Sequence, residues 1–300
     1  MSDDLLNLLF SMEGSKGEPT REIILKAPFG WPGGKSRSVK EIIPHLPIRK
    51  IYVEPFGGSG VILLNKEPCK VEVFNDRYSG VVDFYRVLRD EETKNQLLER
   101  VNTAIFAREE FIWCRDTWNQ VTGVERAARW MYMIQSSFAS LGRNFGRSTI
   151  NSPSSGATRI FKDRIHFDEL HNRLKRVTFE NQDWEQCARD FDSLDTVHYF
   201  DPPYVKTATG TYEHNFSIHD HEHMLDTIFN RLKGFVAVSA YSSSLYDKYQ
   251  WDNIIQWKST VTMNPKVRGG RGQHVERDAD NEETLLNHSE VEHLFIKEAR

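Results

Sequence analysis

Short apolar runs alternate with helical patterns on both sides of a long central stretch of the chain. The runs that predict β-strands are rich in Val, Ile, Phe and Tyr and end at Gly, Pro, Asn or Asp. The predicted strands are Lys50–Glu54, Val71–Phe74, a run beginning at Val177, Thr196–Phe200, Phe235–Ala240, Asn253–Thr262 and an edge strand at Glu283–Asn287. The alternation of strands and helices predicts an α/β fold.

Helical spacing of apolar residues marks the segments between the strands. The predicted helices are Ser36–Pro44, a helix beginning at Val61, Ser79–Arg89, Glu125–Phe138, a helix beginning near His219, and Ser244–Tyr249. Between residues 90 and 175 helical patterns dominate and the strand pattern stops. We therefore expect one α/β domain at residues 21–89 and 176–300, interrupted by a mainly helical insertion at 90–175. A flexible tail is expected at 1–20, with mobile loops at 206–223 and 264–283.

Composition narrows the class of protein. The chain has 300 residues, of which 39% are hydrophobic and 27% charged, as in soluble globular proteins. Its net charge of −4 gives no overall attraction to a polyanion, so a nucleic-acid site would depend on local clusters. No apolar run reaches the roughly 18 residues that a membrane span needs. Asp3 and Asp4 do not resemble a secretory signal. We expect a cytoplasmic protein without membrane contact.

The spacing of cysteines and histidines favours neither disulfides nor a metal site. The three cysteines lie far apart and form no C-x-x-C motif. His219 and His223 stand one helical turn apart, but Asp220 follows His219 where an H-E-x-x-H motif requires glutamate. No metal is therefore expected.

A glycine-rich turn, Pro55-Phe-Gly-Gly-Ser-Gly60, follows the first predicted strand. Such a strand-to-helix turn lets a ligand approach the backbone closely. Asp76 ends the next strand 19 residues after Gly57, near the spacing of about 20 expected for a carboxylate that binds a ribose diol. Leu63 replaces the last glycine of G-x-G-x-x-G, which argues against NAD and leaves another adenosine-bearing cofactor. The alternative role for Asp76 is to cap the helix from Ser79.

Two further segments are candidates for ligand contact. Phe29-Gly-Trp-Pro-Gly-Gly-Lys35 precedes a predicted helix, so free backbone N–H groups and Lys35 suit an anion and Trp31 suits a ring. Asp183-Trp184 stands at a predicted strand tip, where the carboxylate would accept a purine amine and the indole would cover its face. The alternatives are a surface turn for the first segment and a helix cap with a core tryptophan for the second.

The strand Thr196–Phe200 is stopped by Asp201-Pro-Pro-Tyr204. Proline fixes φ and supplies no backbone donor, so this corner is rigid. It would hold the Asp201 carboxylate, the Pro202 carbonyl and the Tyr204 ring at a strand end. Two acceptors beside a flat ring suit a planar amine such as N6 of adenine. The alternative is an ordinary proline stop after a core strand, with Tyr204 packing beside it.

A basic cluster stands out within this acidic chain. Between Arg143 and Arg176 there are six Arg and two Lys against two Asp and one Glu, a local charge of +5. Basic residues interleaved with aromatic and small polar residues suit contact with a phosphate backbone. We single out Arg143, Asn144 and Arg147 for DNA contact, with Arg143 reading a base and Arg147 contacting phosphate. The alternative is a solvated basic face.

Taken in order, these segments resemble the Dam-like D12 class of DNA adenine-N6 methyltransferases. The motifs that carry the resemblance are Gly33-Gly34-Lys35, Phe56-Gly57-Gly58-Ser59-Gly60, Asp76, the insertion at 90–175, Asp183-Trp184 and Asp201-Pro-Pro-Tyr204. They span about residues 27–290 and follow the order of the family.

The resemblance implies a site-specific enzyme that uses S-adenosylmethionine to methylate N6 of adenine in double-stranded DNA. It also implies a Rossmann-like, class I methyltransferase fold with a mostly parallel seven-stranded sheet. The residues implied in cofactor contact are Trp31, Lys35, Phe56, Gly57, Gly58, Ser59, Gly60, Asp76, Asp183, Trp184 and Asp201. Asp201, Pro202 and Tyr204 would act on the target base after it leaves the duplex. No metal is required.

Two departures from the family pattern limit these implications. The first motif lacks the usual Lys-Trp-Ala-Gly-Gly-Lys, and Phe138-Ala-Ser-Leu-Gly-Arg-Asn144 replaces F-N-G-L-x-R-x-N, so no target sequence is implied. Alternative functions are methylation of cytosine N4, for which Ser is usual at position 201, methylation of adenine in RNA, and DNA binding without catalysis. The oligomeric state and the biological role, in restriction protection, phage modification or regulation, are left open.

Overall fold

A computed structural model describes residues 25–146, 166–204, 216–259 and 290–300. Within these ranges the strands form one seven-stranded sheet in the order β3-β2-β1-β4-β5-β7-β6. The strands are β1 Ile51–Glu54, β2 Val71–Asn75, β3 Val177–Glu180, β4 Thr196–Phe200, β5 Phe235–Tyr241, β6 Asn253–Ser259 and β7 Glu290–Lys297. This confirms the α/β fold and the mostly parallel seven-stranded sheet that the sequence and the resemblance implied.

Strands β1 to β5 pair in parallel, and β7 pairs antiparallel with both β5 and β6. The chain order reverses between β1 and β4, since β2 and β3 lie on one side of β1 and β4 and β5 lie on the other. Ligands of open α/β sheets bind at such a reversal, beyond the carboxyl ends of the strands. Asp201 and the glycine-rich turn both lie at this point.

The last strand differs from the expectation. The edge strand predicted at Glu283–Asn287 lies outside the described residues, and β7 occupies an inner position between β5 and β6. The sequence did not predict β7, because three of its buried positions are Glu292, His293 and Lys297. Such residues are rarely buried, so the segment lacks the apolar pattern of a strand. Lys297 donates from Nζ to the Leu232 carbonyl at 2.9 Å, which satisfies one of these buried groups.

The helix predicted at Ser79–Arg89 has these bounds, and the other predicted helices are present with small shifts, except that Ser244–Tyr249 contains only a 3₁₀ turn. The helices are α1 Val39–Ile42, α2 Val61–Asn65, α3 Ser79–Arg89, α4 Glu91–Thr103, α5 Arg108–Thr117, α6 Gly123–Ser136, α7 Phe167–Leu174, α8 Trp184–Asp190 and α9 Ile218–Asn230. Short 3₁₀ turns follow at Ile43–His45, Trp118–Gln120, Phe138–Ser140 and Tyr246–Lys248. Helices α4 to α7 lie between β2 and β3 in the sequence, within the segment predicted to be a mainly helical insertion.

An aromatic cluster joins these helices to the sheet domain. Trp130 of α6 is fully buried, and its ring meets that of Phe29 edge-on at 4.9 Å. A Cβ atom on Gly80 of α3 would lie 2.2 Å from the Trp130 indole, so only glycine allows α3 and α6 to approach this closely. The segment that begins at Phe29 therefore packs against helix α6.

Several predictions fall on residues that the structure does not describe. These are the tail at 1–20, Arg147, the first part of the loop at 206–223 and the loop at 264–283. In the described part of the chain, no helix is long and apolar enough to cross a membrane.

A buried ion pair connects α7, the last described helix before β3, to the sheet. Glu72 of β2 accepts from Arg173 Nη1 at 2.5 Å and from Arg173 Nη2 at 2.8 Å. Lys66 Nζ lies 2.6 Å from the same carboxylate. Glu72 is 4% exposed, so the two cations depend on it for neutralisation.

We expect Glu72→Ala to lower the free energy of unfolding by about 3–5 kcal/mol, because it leaves two partly buried cations without their partner. Denaturant unfolding measures this, with Glu67→Ala as the matched control, since Glu67 is exposed and its side chain is not part of the cluster. A midpoint for Glu72→Ala equal to that of the control would contradict the expectation.

Candidate active site

A cavity of about 1630 Å³ opens at the carboxyl edge of the parallel strands. Most of the residues singled out from the sequence line it. They are Trp31, Lys35, Phe56, Gly57, Gly58, Ser59, Asp76, Arg143, Asp183, Trp184, Asp201, Pro202 and Tyr204. Gly60 and Asn144 are not among the lining residues, and Arg147 lies outside the described ranges. The predicted residues are thus brought together from distant parts of the chain.

The glycine-rich turn is shaped by the side chains behind it. A Cβ atom on Gly57 would lie 2.3 Å from the Phe74 ring, and one on Gly58 would lie 2.8 Å from the Trp31 indole. Gly58 and Gly60 also adopt left-handed φ values of 50° and 64°. The glycines therefore admit Phe74 and Trp31 as well as any ligand, which the sequence pattern alone did not indicate.

Asp76 ties the tip of β2 to this turn. Its Oδ2 accepts from the Gly58 backbone N–H at 2.7 Å, and its Oδ1 accepts from the Tyr78 N–H at 2.8 Å. Tyr78 is the N-cap of α3 and shows no side-chain cap bond. Asp76 thus organises the turn from the cavity side and does not act as the N-cap of α3.

Glu54 ends β1, and the sequence predicted it only as the last residue of a strand, with no role in the site. Its side chain is buried and lines the cavity. Oε1 accepts from the Tyr52 hydroxyl at 2.7 Å and from the Leu63 N–H at 3.0 Å, whereas Oε2 has no hydrogen-bond partner among the described residues. Burial raises the pKa of Glu54 to about 8, against the lowering effect of the Tyr52 bond. A buried acid directly before a glycine-rich turn is the sequence signal that could have identified it.

An aromatic wall closes the side of the cavity next to β4. The Phe56 and Trp184 rings stack at 6.1 Å, and the Phe216 ring meets Phe56 edge-on at 5.3 Å. The strand tip predicted for Asp183-Trp184 is corrected here, because β3 ends at Glu180 and Asp183 is the N-cap of α8. Its side chain accepts from the Glu185 N–H at 2.9 Å, a bond that favours starting a helix at this point.

At the corner after β4, Lys35 reaches the carboxylate of Asp201. Its Nζ lies 2.8 Å from Asp201 Oδ1 and 4.7 Å from the centre of the Tyr204 ring. It also donates to the Gly33 carbonyl at 2.9 Å. Lys35 was predicted to meet an anion beside a helix start, and the anion it meets in this structure is Asp201. Helix α1 begins only at Val39.

The electrostatics of the corner follow from its burial. Burial raises the pKa of Asp201 to about 6, while the Lys35 ammonium opposes the rise. Tyr204 is 9% exposed and packs edge-on against Tyr241 of β5 at 4.7 Å. The corner thus presents a carboxylate and an aromatic ring, each held by a neighbouring side chain.

The helical segment contributes the outer rim of the cavity. Arg115, Trp118, Asn119 and Arg143 line it there. The neighbouring turn exposes 64% of Phe138 and places Ala139 and Ser140 at left-handed φ values of 53° and 59°. Residues without a glycine's freedom rarely adopt this conformation. Asn144 is exposed, and its backbone carbonyl accepts from the Phe138 N–H at 2.7 Å.

His219 and His223, which were considered as a metal site, each lie beside a glutamate side chain of the protein. His223 Nε2 lies 2.8 Å from Glu185, and His219 Nδ1 lies 4.0 Å from Glu222. Within the described ranges, no group of three or more His, Cys, Asp or Glu residues is arranged to hold a metal ion.

A mostly parallel seven-stranded sheet, with a glycine-rich turn and an acidic proline corner at its carboxyl edge, is the architecture of a class I methyltransferase. The family model for D12 class N6 adenine-specific DNA methyltransferases matches residues 31–263. The chain therefore belongs to this family and is a site-specific, adenine-specific DNA methyltransferase.

Curated relatives agree with this assignment. The Type II methyltransferase M1.LlaDCHI of Lactococcus lactis subsp. cremoris is 29% identical over 273 residues, which cover 82% of this chain and 92% of that protein. The DNA adenine methylase of Salmonella typhimurium is 24% identical over 262 residues, covering 83% of this chain and 91% of that protein. The DNA adenine methylase of Escherichia coli K12 is 22% identical over 204 residues, covering 65% and 73%.

We expect Lys35→Met to raise the pKa of the Asp201 carboxyl above about 6, because the nearby ammonium favours the ionised form. Carbon-13 NMR titration of the Asp201 side chain measures this directly. Lys40→Met is the control, since Lys40 is exposed on the neighbouring helix α1. An unchanged Asp201 pKa in Lys35→Met would show that the ion pair has no electrostatic effect.

Proposed function

We propose that this enzyme transfers the methyl group of S-adenosylmethionine to N6 of an adenine flipped out of double-stranded DNA. The observation that carries the proposal is the shared cavity. Asp201, Pro202 and Tyr204 line it together with the glycine-rich turn. S-adenosylmethionine supplies a methyl group on a positively charged sulfur, from which a nitrogen lone pair can displace it directly.

Glu54 supports the cofactor assignment. A buried carboxylate oxygen without a partner, as at Oε2, calls for a donor. The ammonium of the methionine part is a charged donor of this kind. Its approach would lower the pKa of Glu54 from about 8, so that the carboxyl is ionised at neutral pH in the complex.

The other cofactor contacts follow from the walls of the cavity. We assign the methionine part to residues 56–60 with Trp31, the ribose diol to Asp76, and the adenine ring to Asp183 and Trp184. A carboxylate has about four lone-pair sites. Asp76 can therefore accept from the ribose while it continues to accept from Gly58 and Tyr78.

The corner is assigned to the target base. The cavity of about 1630 Å³ exceeds the roughly 300–1,000 Å³ of a pocket for one small ligand, so it has room for a nucleoside cofactor and a base together. Flipping the base costs a few kcal/mol. Stacking on Tyr204 and hydrogen bonds from N6 to Asp201 and to the Pro202 carbonyl would offset that cost.

Positioning and polarisation of the amine carry the catalysis in this proposal. The N6 lone pair is conjugated with the purine ring, and acceptors on both N–H bonds favour the pyramidal form that can attack. Methylation would leave N6 positively charged until it loses one proton. Asp201, with its pKa of about 6, is placed to accept that proton.

We assign DNA contact to the turn at residues 138–144 and to the insertion at 90–175 around it. Arg143 is exposed where the rim meets the cavity, so it can reach a base edge beside the flipped nucleotide. The exposed Phe138 ring is suited to contact with the base stack. Asn144 would add a second base contact, and Arg147 a phosphate contact. Because the curated relatives are bacterial proteins, we place the enzyme in the cytoplasm, where bacterial DNA lies.

We expect Asp201→Ala to lower the rate of methyl transfer to duplex DNA by at least about 10²-fold, as for other losses of a group that stabilises the reacting centre. In the unaltered enzyme, kcat/KM should fall as the pH drops below about 6, because a protonated Asp201 is a weaker acceptor for N6 and cannot take up its proton. Mass analysis of digested DNA identifies the methylated nucleoside.

Asp195→Ala is the matched control, because Asp195 precedes the same strand β4 at its opposite end and is 53% exposed. Near-normal transfer by Asp201→Ala would refute the role of the corner. Methylated cytosine as the product, or a preference for RNA, would refute the proposed substrate.

We expect Arg143→Ala to weaken binding of the preferred DNA sequence by about 1–3 kcal/mol and scrambled duplexes much less, as when a base contact is lost. Single-molecule sequencing of DNA from an expressing strain first identifies the methylated site. Titrations at several salt concentrations follow, with Arg300→Ala as the control, because Arg300 is 55% exposed and lies outside both the insertion and the cavity lining. If Arg143→Ala instead weakens the binding of all duplexes equally, and lowers the slope of log K against log salt concentration by about one, Arg143 contacts phosphate.

A further inference from the structure

A fully buried histidine lies directly behind the proline corner. His221 is on the first turn of α9, and its Nε2 lies 2.9 Å from the Pro203 carbonyl oxygen. Its Nδ1 lies 3.1 Å from the hydroxyl of Tyr246, in the 3₁₀ turn after β5. His221 therefore connects three segments of the chain through its two ring nitrogens.

The protonation of the ring follows from these partners. A carbonyl oxygen only accepts, so Nε2 carries the hydrogen, and Nδ1 of the neutral ring accepts from the Tyr246 hydroxyl. Burial lowers the pKa of His221, while the Pro203 carbonyl and Asp220 oppose this effect. Burial also raises the pKa of Tyr246, so its hydroxyl stays protonated. The hydrogen bonds thus run in one direction, from Tyr246 to His221 to Pro203.

The Pro203 carbonyl controls the direction in which Tyr204 leaves the corner. The proline ring fixes φ, and the peptide bond to Tyr204 is planar, so ψ of Pro203 is the soft angle between the two residues. The position of the carbonyl oxygen is set by this angle. A hydrogen bond to that oxygen therefore fixes the position of the Tyr204 Cα atom, from which the ring extends between Lys35 and Tyr241.

The same imidazole also contacts the aromatic wall. The Phe216 ring meets His221 edge-on at 4.7 Å and meets Phe56 at 5.3 Å. The group that holds the carbonyl of the corner is thereby packed against the wall assigned to the cofactor. A displacement of about 1 Å between two reacting groups can lower the rate by about 10²-fold. A residue that contacts both the corner and the aromatic wall can therefore affect the rate by keeping the two in place.

We propose that His221 is a positioning residue for methyl transfer. It holds the Pro203 carbonyl, and through it the Tyr204 ring, in register with the bound cofactor. This inference rests on the proposed role of the corner. His221 itself does not touch the substrate, so its loss should lower kcat more than it changes KM for DNA or affinity for S-adenosylmethionine.

Two amide variants test this inference by separating the ring nitrogens. The amide nitrogen of His221→Gln can occupy the place of Nε2 and donate to the Pro203 carbonyl. That of His221→Asn occupies the place of Nδ1 and cannot reach the carbonyl. We expect His221→Gln to keep kcat within about 3-fold of the unaltered enzyme and His221→Asn to lose about 10- to 100-fold. Thermal unfolding of both verifies the fold, and Tyr246→Phe, which leaves the Pro203 bond intact, should behave like His221→Gln.

Equal kcat values for the two amide variants, or a loss confined to KM, would overturn the inference. Asp201→Ala measured in parallel separates this from failure of the proposed function. If Asp201→Ala is inactive while His221→Asn is fully active, the corner stands and only the role of His221 falls. If Asp201→Ala is active, the proposed function fails whatever the histidine variants do.

Discussion

Three carboxylates at one edge of the sheet set the main physical constraint on this structure. Glu54 ends β1, Asp76 follows β2 and Asp201 follows β4, and the carboxyl ends of these parallel strands meet at one edge. Burial raises the pKa of Glu54 to about 8, and the charge of Asp201 adds to that rise. Gathering acids away from water costs free energy unless each one finds a donor.

The protein compensates each carboxylate in a different way, and this divides the cavity into two halves. Asp76 accepts from two backbone N–H groups, whereas Asp201 pairs with the Lys35 ammonium, which only partly offsets its burial. Glu54 is compensated at one oxygen only. The half that contains Glu54 and Asp76 retains capacity for a cationic, hydroxyl-rich ligand. The half that contains Asp201 combines a carboxylate with an aromatic face, which suits a neutral planar amine.

The sequence predicted the sheet and the convergence of the site because both depend on local patterns. Strand runs, the glycine-rich turn and the proline corner are each readable within a few residues, and parallel topology then brings their ends together. Contacts between distant segments were not readable. The sequence placed Lys35 beside a helix start, and it did not reveal that Phe74 and Trp31 occupy the space at Gly57 and Gly58. Strand β7 was not predicted, because the charged residues at its buried positions are typical of a surface segment.

The raised pKa values also couple proton binding to ligand binding. The folded protein holds the protons of Glu54 and Asp201 more tightly than the unfolded chain does. Their contribution to stability is therefore full at low pH. It is lost as the pH rises through about 6 for Asp201 and about 8 for Glu54. At neutral pH the free protein therefore keeps Glu54 mostly protonated and carries a destabilising charge on Asp201. A cationic ligand beside Glu54 would favour the ionised form and release its proton. Binding, and not folding alone, would then complete the electrostatics of the site, as expected where stability is traded for function.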